Sequence, residues 1–558
     1  MPPSSRLSFA SLLALIVGCF VFYPLFFRAE PLVRDDLQLI APLESLRGIQ
    51  DYAHAWTEGK IFDVAPVRDL SYLMDLRSGA ALQRPTFHLT NFLLWVLWVT
   101  LAFAVFRSAV PDAPRIWPLA ILLIALHPIY VIDVAWISGR KHLLAGIFCL
   151  GITWLLLQPS RESLRNRILL VTGYLLSVFS HPLLLGWPLW ALVYLKGEGR
   201  SSRECAKILL PLFVLMIAIV GINAWYYNAL YPVVTGGVTK FSDSLDAGPG
   251  IALMSIGRAL FNLLLPFRLS PVDYYPGSWE GMTGLVLLPL FFWLTWKNLP
   301  RKKSIVWGLF FVFPLLTINA KSTRVFLCDT YLLVPSVGIW ILAGELASKA
   351  TEKIRIPSWG RTASVILIVA IAGSAVLEDR RIAASFASIE SLFSLAYARE
   401  ATPQVKYVHA VHLFERGDFR ESAKISIGLL GAIPEADTLF AQTISTDSEI
   451  PLETKIRLLR EHESRQPFYH YFLARNLAKN GDFAEAFAEL RPQLSHLSNF
   501  HKDAPGVAAE ALWMSEKAGA ANPELAASIE RQLPEEKDRR KFRAVRDKLL
   551  ALPKKNSQ

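Results

Sequence analysis

Apolar runs long enough to cross a bilayer recur along the first two-thirds of this chain, and they constrain it more than any other feature. The first, Leu7 to Phe27, follows Arg6 and, at about 1.5 Å of rise per residue, covers the roughly 30 Å of a hydrocarbon core. No small-x-small cleavage site follows it, so it is read as a retained anchor. Further runs lie near 89–107, 117–131, 143–157, 168–180, 183–195, 207–227, 281–297, 305–319, 328–346 and 362–378. In hydrocarbon each backbone N–H and C=O must be paired within its own segment, so such runs are expected to be helices. The expected fold is all-α: a polytopic membrane bundle of about eleven spans over 1–380, then a soluble helical-repeat domain over 381–558.

Composition agrees with a membrane location. Hydrophobic residues make up 53% of the chain and charged ones 19%, and the mean hydropathy is +0.34. The net charge of +11 would suggest a nucleic-acid partner in a soluble protein. Here the basic residues fall instead in short loops between apolar runs, which is the footprint of membrane orientation and argues for lipid and against nucleic acid. Arg161, Arg165 and Arg167 follow the fourth run; Lys196, Arg200, Arg203 and Lys207 follow the sixth; Lys297, Arg301, Lys302 and Lys303 the eighth; Lys349, Lys353, Arg355 and Arg361 the tenth. All four clusters share the side of the N-terminus, which is therefore cytoplasmic. The outer face receives a first loop at 28–88, a second at 127–142, the stretch 228–280, Ala320 to Cys328 and everything after about 379. The segment 251–267 is expected to lie along or dip into that face, with Arg258 and Arg268 reaching toward headgroups. The four cysteines are scattered and give no metal spacing or disulfide framework. The sequence holds no Asn-x-Ser/Thr site, which leans toward a bacterial inner membrane with periplasmic repeats; an endoplasmic reticulum membrane with lumenal repeats is the alternative.

Past residue 379 hydrophobicity falls and charge rises. Val408 to Pro434 and Phe468 to Leu494 share one layout: an apolar helix face, a Gly-Asp-Phe turn, then a second helix with small residues at facing positions. That is the pattern of tetratricopeptide repeats, and a more divergent pair follows around Val507 to Ala518 and Glu524 to Gln532. Glycine ends the first helix of each pair because it tolerates positive φ. A stack of this kind offers a concave face to a protein partner.

Polar chemistry collects in the outer connections. The hinge His127-Pro-Ile-Tyr-Val-Ile-Asp133-Val-Ala-Trp136-Ile-Ser-Gly-Arg140-Lys-His142 lies between two apolar runs, and ionisable groups so close to hydrocarbon point to function. A solvated loop pair, Asp133 with Arg140, is the plainer reading. Just past the first run stand Arg34-Asp35-Asp36. Two adjacent carboxylates can hold a divalent metal or supply a general base with a raised pKa, and they suit a helix start equally well.

The order of motifs says more than any one of them. Asp35-Asp36 is followed by Arg68-Asp-Leu-Ser-Tyr-Leu-Met-Asp-Leu, by Phe87-His88-Leu-Thr-Asn91 entering the second run, and by the hinge. Then come Leu263-Leu-Leu-Pro266 through Asp273-Tyr274, Cys328-Asp329-Thr-Tyr331-Leu-Leu-Val-Pro335-Ser336-Val-Gly338, and the repeats. This series resembles the membrane-spanning, tetratricopeptide-repeat O-mannosyltransferases and their bacterial relatives, within the type C glycosyltransferase superfamily.

The resemblance implies an inverting enzyme that takes a mannose-like sugar from a polyprenyl-phosphate carrier and transfers it to a hydroxyl of a protein or envelope glycan on the non-cytoplasmic face. It places the catalytic base at Asp35 or Asp36, an acid of the second outer loop at Asp133, and phosphate contacts at Arg68 and Arg140. A carboxylate takes the acceptor proton while a cation offsets charge growing on the leaving phosphate. Arginine suits that task because its planar fork pairs with phosphate oxygens. Three positions depart from the family pattern: Asp69 replaces the proline of Arg-Pro-Leu, His142 replaces an acid after Gly-Arg, and Thr330 replaces an arginine before Tyr331. Arg258 or Arg324 are the candidates to fill the last gap, and His127 joins them as a polar group at a run's end. The departures also leave room for an inactive scaffold whose repeats recruit partners.

Overall fold

The computed structural model describes residues 3–28, 36–46, 49–57, 64–78, 86–112, 114, 116–229, 249–264, 266, 269, 279–319, 329–353, 358–399, 403–431, 433–462, 464, 466–520, 523–533 and 536–550. Every regular element among them is helical, as the apolar periodicity predicts. Asp35, Arg268, Arg324 and the Asp273-Tyr274 motif lie outside the described residues. The chain divides into two compact units, residues 1–400 and 401–558.

The first unit opens with α1 (Pro3–Arg28), then the shorter α2 (Asp36–Glu44), α3 (Ile49–Thr57) and α4 (Pro66–Arg77), and α5 (Thr86–Ala109). Next, α6 (Trp117–Leu126) leads into the hinge, a 3-10 turn over Pro128–Tyr130, the five-residue α7 (Val131–Ala135) and a second 3-10 turn over Ile137–Gly139. Pro128 explains the break: it has no N–H to give and its ring clashes with the preceding turn, so the axis bends by 42°. The unit continues with α8 (Arg140–Leu157), α9 (Leu164–Ser180), α10 (Trp187–Gly197), α11 (Ser202–Ala229), α12 (Pro249–Leu264), α13 (Trp279–Asn298), α14 (Arg301–Asn319) and α15 (Pro335–Lys353). It closes with α16 (Ser358–Ser385) and α17 (Ile389–Arg399), which pack together, so it runs on to Glu400 where composition alone suggested 380.

Among the described residues three helical stretches are long and apolar enough to cross a membrane: α5, Ile137–Leu157 and Ser202–Tyr226, with α6 and the hinge forming a fourth if the bent pair counts as one. Several other apolar runs are also helical; α10, for instance, has 11 residues.

One continuous apolar core ties the first unit together, with Phe22, Trp95, Trp98, Tyr130 and Trp190 all buried. Glycine makes space for a large aromatic against a helix backbone at Gly146, where a Cβ would fall 2.9 Å from the Trp98 indole. Between α12 and α13 the approach is closer still, since a Cβ at Gly284 would fall 1.8 Å from the carbonyl oxygen of Gly257. Phe261 meets Trp279 edge-on at 5.1 Å, so the two helices run antiparallel. Arg258 of α12 is 3% exposed, buried where the sequence suggested a side chain reaching outward.

The second unit holds α18 (Pro403–Glu415), α19 (Phe419–Ile427), α20 (Pro434–Thr446), α21 (Leu452–Arg460), α22 (Pro467–Asn480), α23 (Phe483–Leu490), α24 (Ala504–Lys517), α25 (Pro523–Gln532) and α26 (Glu536–Leu550). Both Gly-Asp-Phe turns form as expected: Gly417 and Gly481 take φ of +82° and +98° just past α18 and α22. Small residues do face one another there. The Ser422 hydroxyl of α19 donates to the Ala410 carbonyl of α18 at 2.7 Å. The pair α20 and α21, between the two read from sequence, was not anticipated.

Candidate functional site

Breaking the chain at the hinge frees carbonyls that a continuous helix would have paired, and those carbonyls define the site. Asn91, one turn into α5, answers them: its Nδ2 lies 3.4, 3.1 and 3.2 Å from the carbonyl oxygens of Val134, Trp136 and Ile137. Tyr72 of α4 adds a donor to Ile137 O at 3.2 Å. The other end of the Asn91 amide accepts from Arg140 Nε at 2.8 Å. One fully buried amide thus holds the hinge on one side and the first residue of α8 on the other.

Arg140 is itself buried and held on every guanidinium nitrogen. Nη1 donates to Ser71 O at 3.1 Å, Nη2 donates to Phe87 O at 3.0 Å and pairs with Asp75 Oδ2 at 2.5 Å. Its charge also sits 4.7 Å from the centre of the Tyr72 ring. Thr90 donates to the second Asp75 oxygen at 2.9 Å. Taking such a pair out of water is costly, and the hydrogen bonds on the guanidinium and on Asp75 Oδ1 offset part of that cost. The arginine therefore braces α4, α5 and α8, a geometry different from the free phosphate fork that the sequence suggested.

Asp36, the first residue of α2, reaches the same turn from the connection that follows α1. Its carboxylate is fully buried, and Oδ1 accepts the Ser138 N–H at 2.8 Å together with the Ser138 hydroxyl. Next in the chain, Gly139 lies directly on Asp133: a Cβ there would fall 2.4 Å from the Asp133 carbonyl oxygen. Asp133 is fully buried too. The structure thus docks the Asp36 carboxylate on the 3-10 turn Ile137–Gly139, which also packs on the Asp133 backbone; Asp36 and Asp133 are 97 residues apart in sequence (133 minus 36).

Other expected phosphate contacts are engaged by protein groups as well. Arg68 is buried and gives Nε and Nη2 to Asp69 Oδ1 at 2.8 and 2.6 Å, while Tyr52 donates to the other Asp69 oxygen at 2.9 Å. Asp69 is thus the counter-ion of the arginine before it. His127 accepts the Ile129 N–H on Nδ1 at 3.2 Å and offers Nε2 to Leu263 O at 3.0 Å, so its ring pins α12 to the hinge. Arg258 is buried in α12.

Two further groupings join the hinge to the late motif, and neither was a site candidate from sequence. Tyr130 OH lies 2.8 Å from Ser336 Oγ and accepts from Trp340 Nε1 at 2.7 Å. His142, His181 and Tyr331 form a ring cluster, with centroids 4.7 Å apart for the two histidines and 5.1 and 6.1 Å from them to the tyrosine. Their signal was present but misread: His142 stood as a lost acid and Tyr331 as a motif lacking its arginine. Among the described residues no group of three His, Cys, Asp or Glu side chains is arranged to hold a metal ion.

No family model, curated protein or solved structure matches this chain.

Proposed function

We propose that this protein is a multi-span membrane glycosyltransferase that moves a sugar from a polyprenyl-phosphate carrier to a hydroxyl of a protein or envelope glycan on the non-cytoplasmic face, with its second unit acting as a tetratricopeptide-like partner platform. One observation carries the reading. The buried Asp36 carboxylate holds the Ser138 N–H and hydroxyl, so an acid from the connection after α1 docks on the hinge turn, whose Gly139 packs on the backbone of the buried Asp133. Buried carboxylates near hydrocarbon are costly and are retained where chemistry needs them. In this reading the Asp35-Asp36 pair takes the acceptor proton, and Ser138 orients the Asp36 carboxylate by holding Oδ1. Arg140, Asn91 and Asp75 act as positioning residues that fix the turn.

A second reading has a specific observation behind it. Arg68 and Arg140 are both neutralised by carboxylates, at Asp69 and Asp75, as suits a membrane scaffold that has lost its anionic substrate. Comparing glycans on envelope proteins and polymers from cells with and without the gene separates the two. Loss of a single sugar type supports the enzyme and names donor and acceptor together. Unchanged glycans, with function abolished by deleting residues 401–558, support the scaffold.

A further inference from the structure

Three charged residues in a row near the end of α16 are answered in three different ways. Glu378 pairs with Arg399 of α17, and the Arg380 guanidinium lies 4.6 Å from the centre of the Phe20 ring of α1. Asp379 between them turns inward: it is 2% exposed, and its Oδ1 is buried with no hydrogen-bond partner among the described residues. It lines a small cavity together with Trp95 of α5, His127 and Tyr130 of the hinge, and apolar side chains of α1 and α6. We propose that this cavity holds one water molecule, which accepts the Trp95 indole N–H, donates to Asp379 Oδ1, and so ties α16 to α5 beside the hinge.

Trp95 supplies the donor. Its Nε1 is buried and has no acceptor among the described residues. The ring packs edge-on against Phe22 at 5.7 Å and stacks with Phe92 at 6.2 Å, so close packing keeps the indole from swinging toward another acceptor. The other polar groups of the cavity wall are already taken up. His127 Nδ1 and Nε2 are met by Ile129 and Leu263, and the Tyr130 phenol by Ser336 and Trp340. One buried donor and one buried acceptor therefore remain on the same cavity, and each would bear its full desolvation cost without a partner.

Size and chemistry select the occupant. The cavity measures about 10 Å³, close to the roughly 10–15 Å³ that one water needs. A hard metal cation seeks about six or more oxygen ligands, and an indole N–H would repel it. The site calls for a molecule that accepts from nitrogen and donates to a carboxylate, and water does both at nearly the enthalpy of a direct hydrogen bond. Because α16 packs against α1, α6 and the hinge, the bridge adds a polar tie to a largely apolar contact. This site is independent of the glycosyltransferase reading, since it bears on how the hinge is held and not on what is transferred there.

The test begins with unmutated full-length protein in detergent, equilibrated in oxygen-labelled water and irradiated with X-ray pulses, so that water held inside the fold oxidises the side chains around it. Mass spectrometry is expected to find labelled oxygen on Val21, Phe22 or Tyr130, all buried from bulk solvent. No label on any of the three overturns the proposal, and this readout does not depend on the folding of a variant. The ultraviolet resonance Raman difference between wild type and Trp95→Phe isolates one indole. A hydrogen-bonded indole is expected, and a free one overturns the bridge. Asp379→Leu is expected to cut the oxidation by about ten-fold or more, as loss of a hydrogen bond to a charged group does, whereas Asp379→Asn keeps an acceptor oxygen and should retain it. Wild-type oxidation in Asp379→Leu, or a loss in Asp379→Asn as large as in Asp379→Leu, overturns the assignment of Asp379 as the acceptor.

Discussion

Arg140 Nη2 lies 2.5 Å from Asp75 Oδ2, a buried ion pair between the start of α8 and the last turn of α4. Removing one partner strands the other charge out of water. Arg140→Ala or Asp75→Ala should each lower stability by roughly 3–5 kcal/mol. Thermal unfolding in detergent checks this, and a double variant costing less than the sum of the two singles is the expected sign of coupling.

Asn91 is predicted to be as sensitive as the arginine it supports. Asn91→Leu preserves bulk but removes one donor from the carbonyls of Trp136 and Ile137, which keep others, and leaves the Nε of Arg140 without its partner. Stranding that buried N–H costs about 1–3 kcal/mol. Expression with a strongly lowered unfolding midpoint is the expected outcome.

Gly139→Ala tests the contact between the turn and Asp133. The added methyl would sit 2.4 Å from a carbonyl oxygen, and backbone cannot rotate away as a flexible side chain can. The turn should shift at a cost of about 1–3 kcal/mol. Activity should fall with it, because Ser138 and its bond to Asp36 move too; sugar transfer and the unfolding midpoint measured on one preparation check both.

In the second unit, the hydrogen bond from His470 to Glu489, 2.6 Å, raises the histidine pKa, and partial burial opposes it. A pKa raised on folding means the contribution is fully present below the unfolded value of about 6.5 and is lost as pH rises through the folded one. The second unit should therefore unfold at a lower temperature above that window. Glu489→Gln should flatten this dependence, as followed by thermal melts of the full-length protein across pH.

Much of this was legible in the sequence where the signal is local. Gly417 and Gly481 marked turns, and the apolar runs gave the helices, because each depends on neighbours within a few residues. The convergence of Asp36 on the hinge was expected only through motif order. What stayed hidden is long-range and polar. Asp75 pairs with Arg140 across 65 residues, and no periodicity announces a buried ion pair. Asp69 read as a missing proline, yet it is the counter-ion of Arg68; His142 read as a missing acid, yet its ring meets His181 and Tyr331. A departure from a pattern shows what a position has lost, and only packing shows what it has gained.

The most direct measurement is transfer of labelled sugar from a polyprenyl-phosphate donor into membrane proteins and glycans, using wild type, Asp35→Asn and Asp36→Asn at equal expression. Proton transfer by a positioned base contributes about 10²- to 10⁴-fold. The prediction is robust transfer by the wild type and a loss of at least about a hundred-fold in one of the two variants. Full transfer in both would contradict the assignment of the base and, with it, the enzymatic account of the hinge.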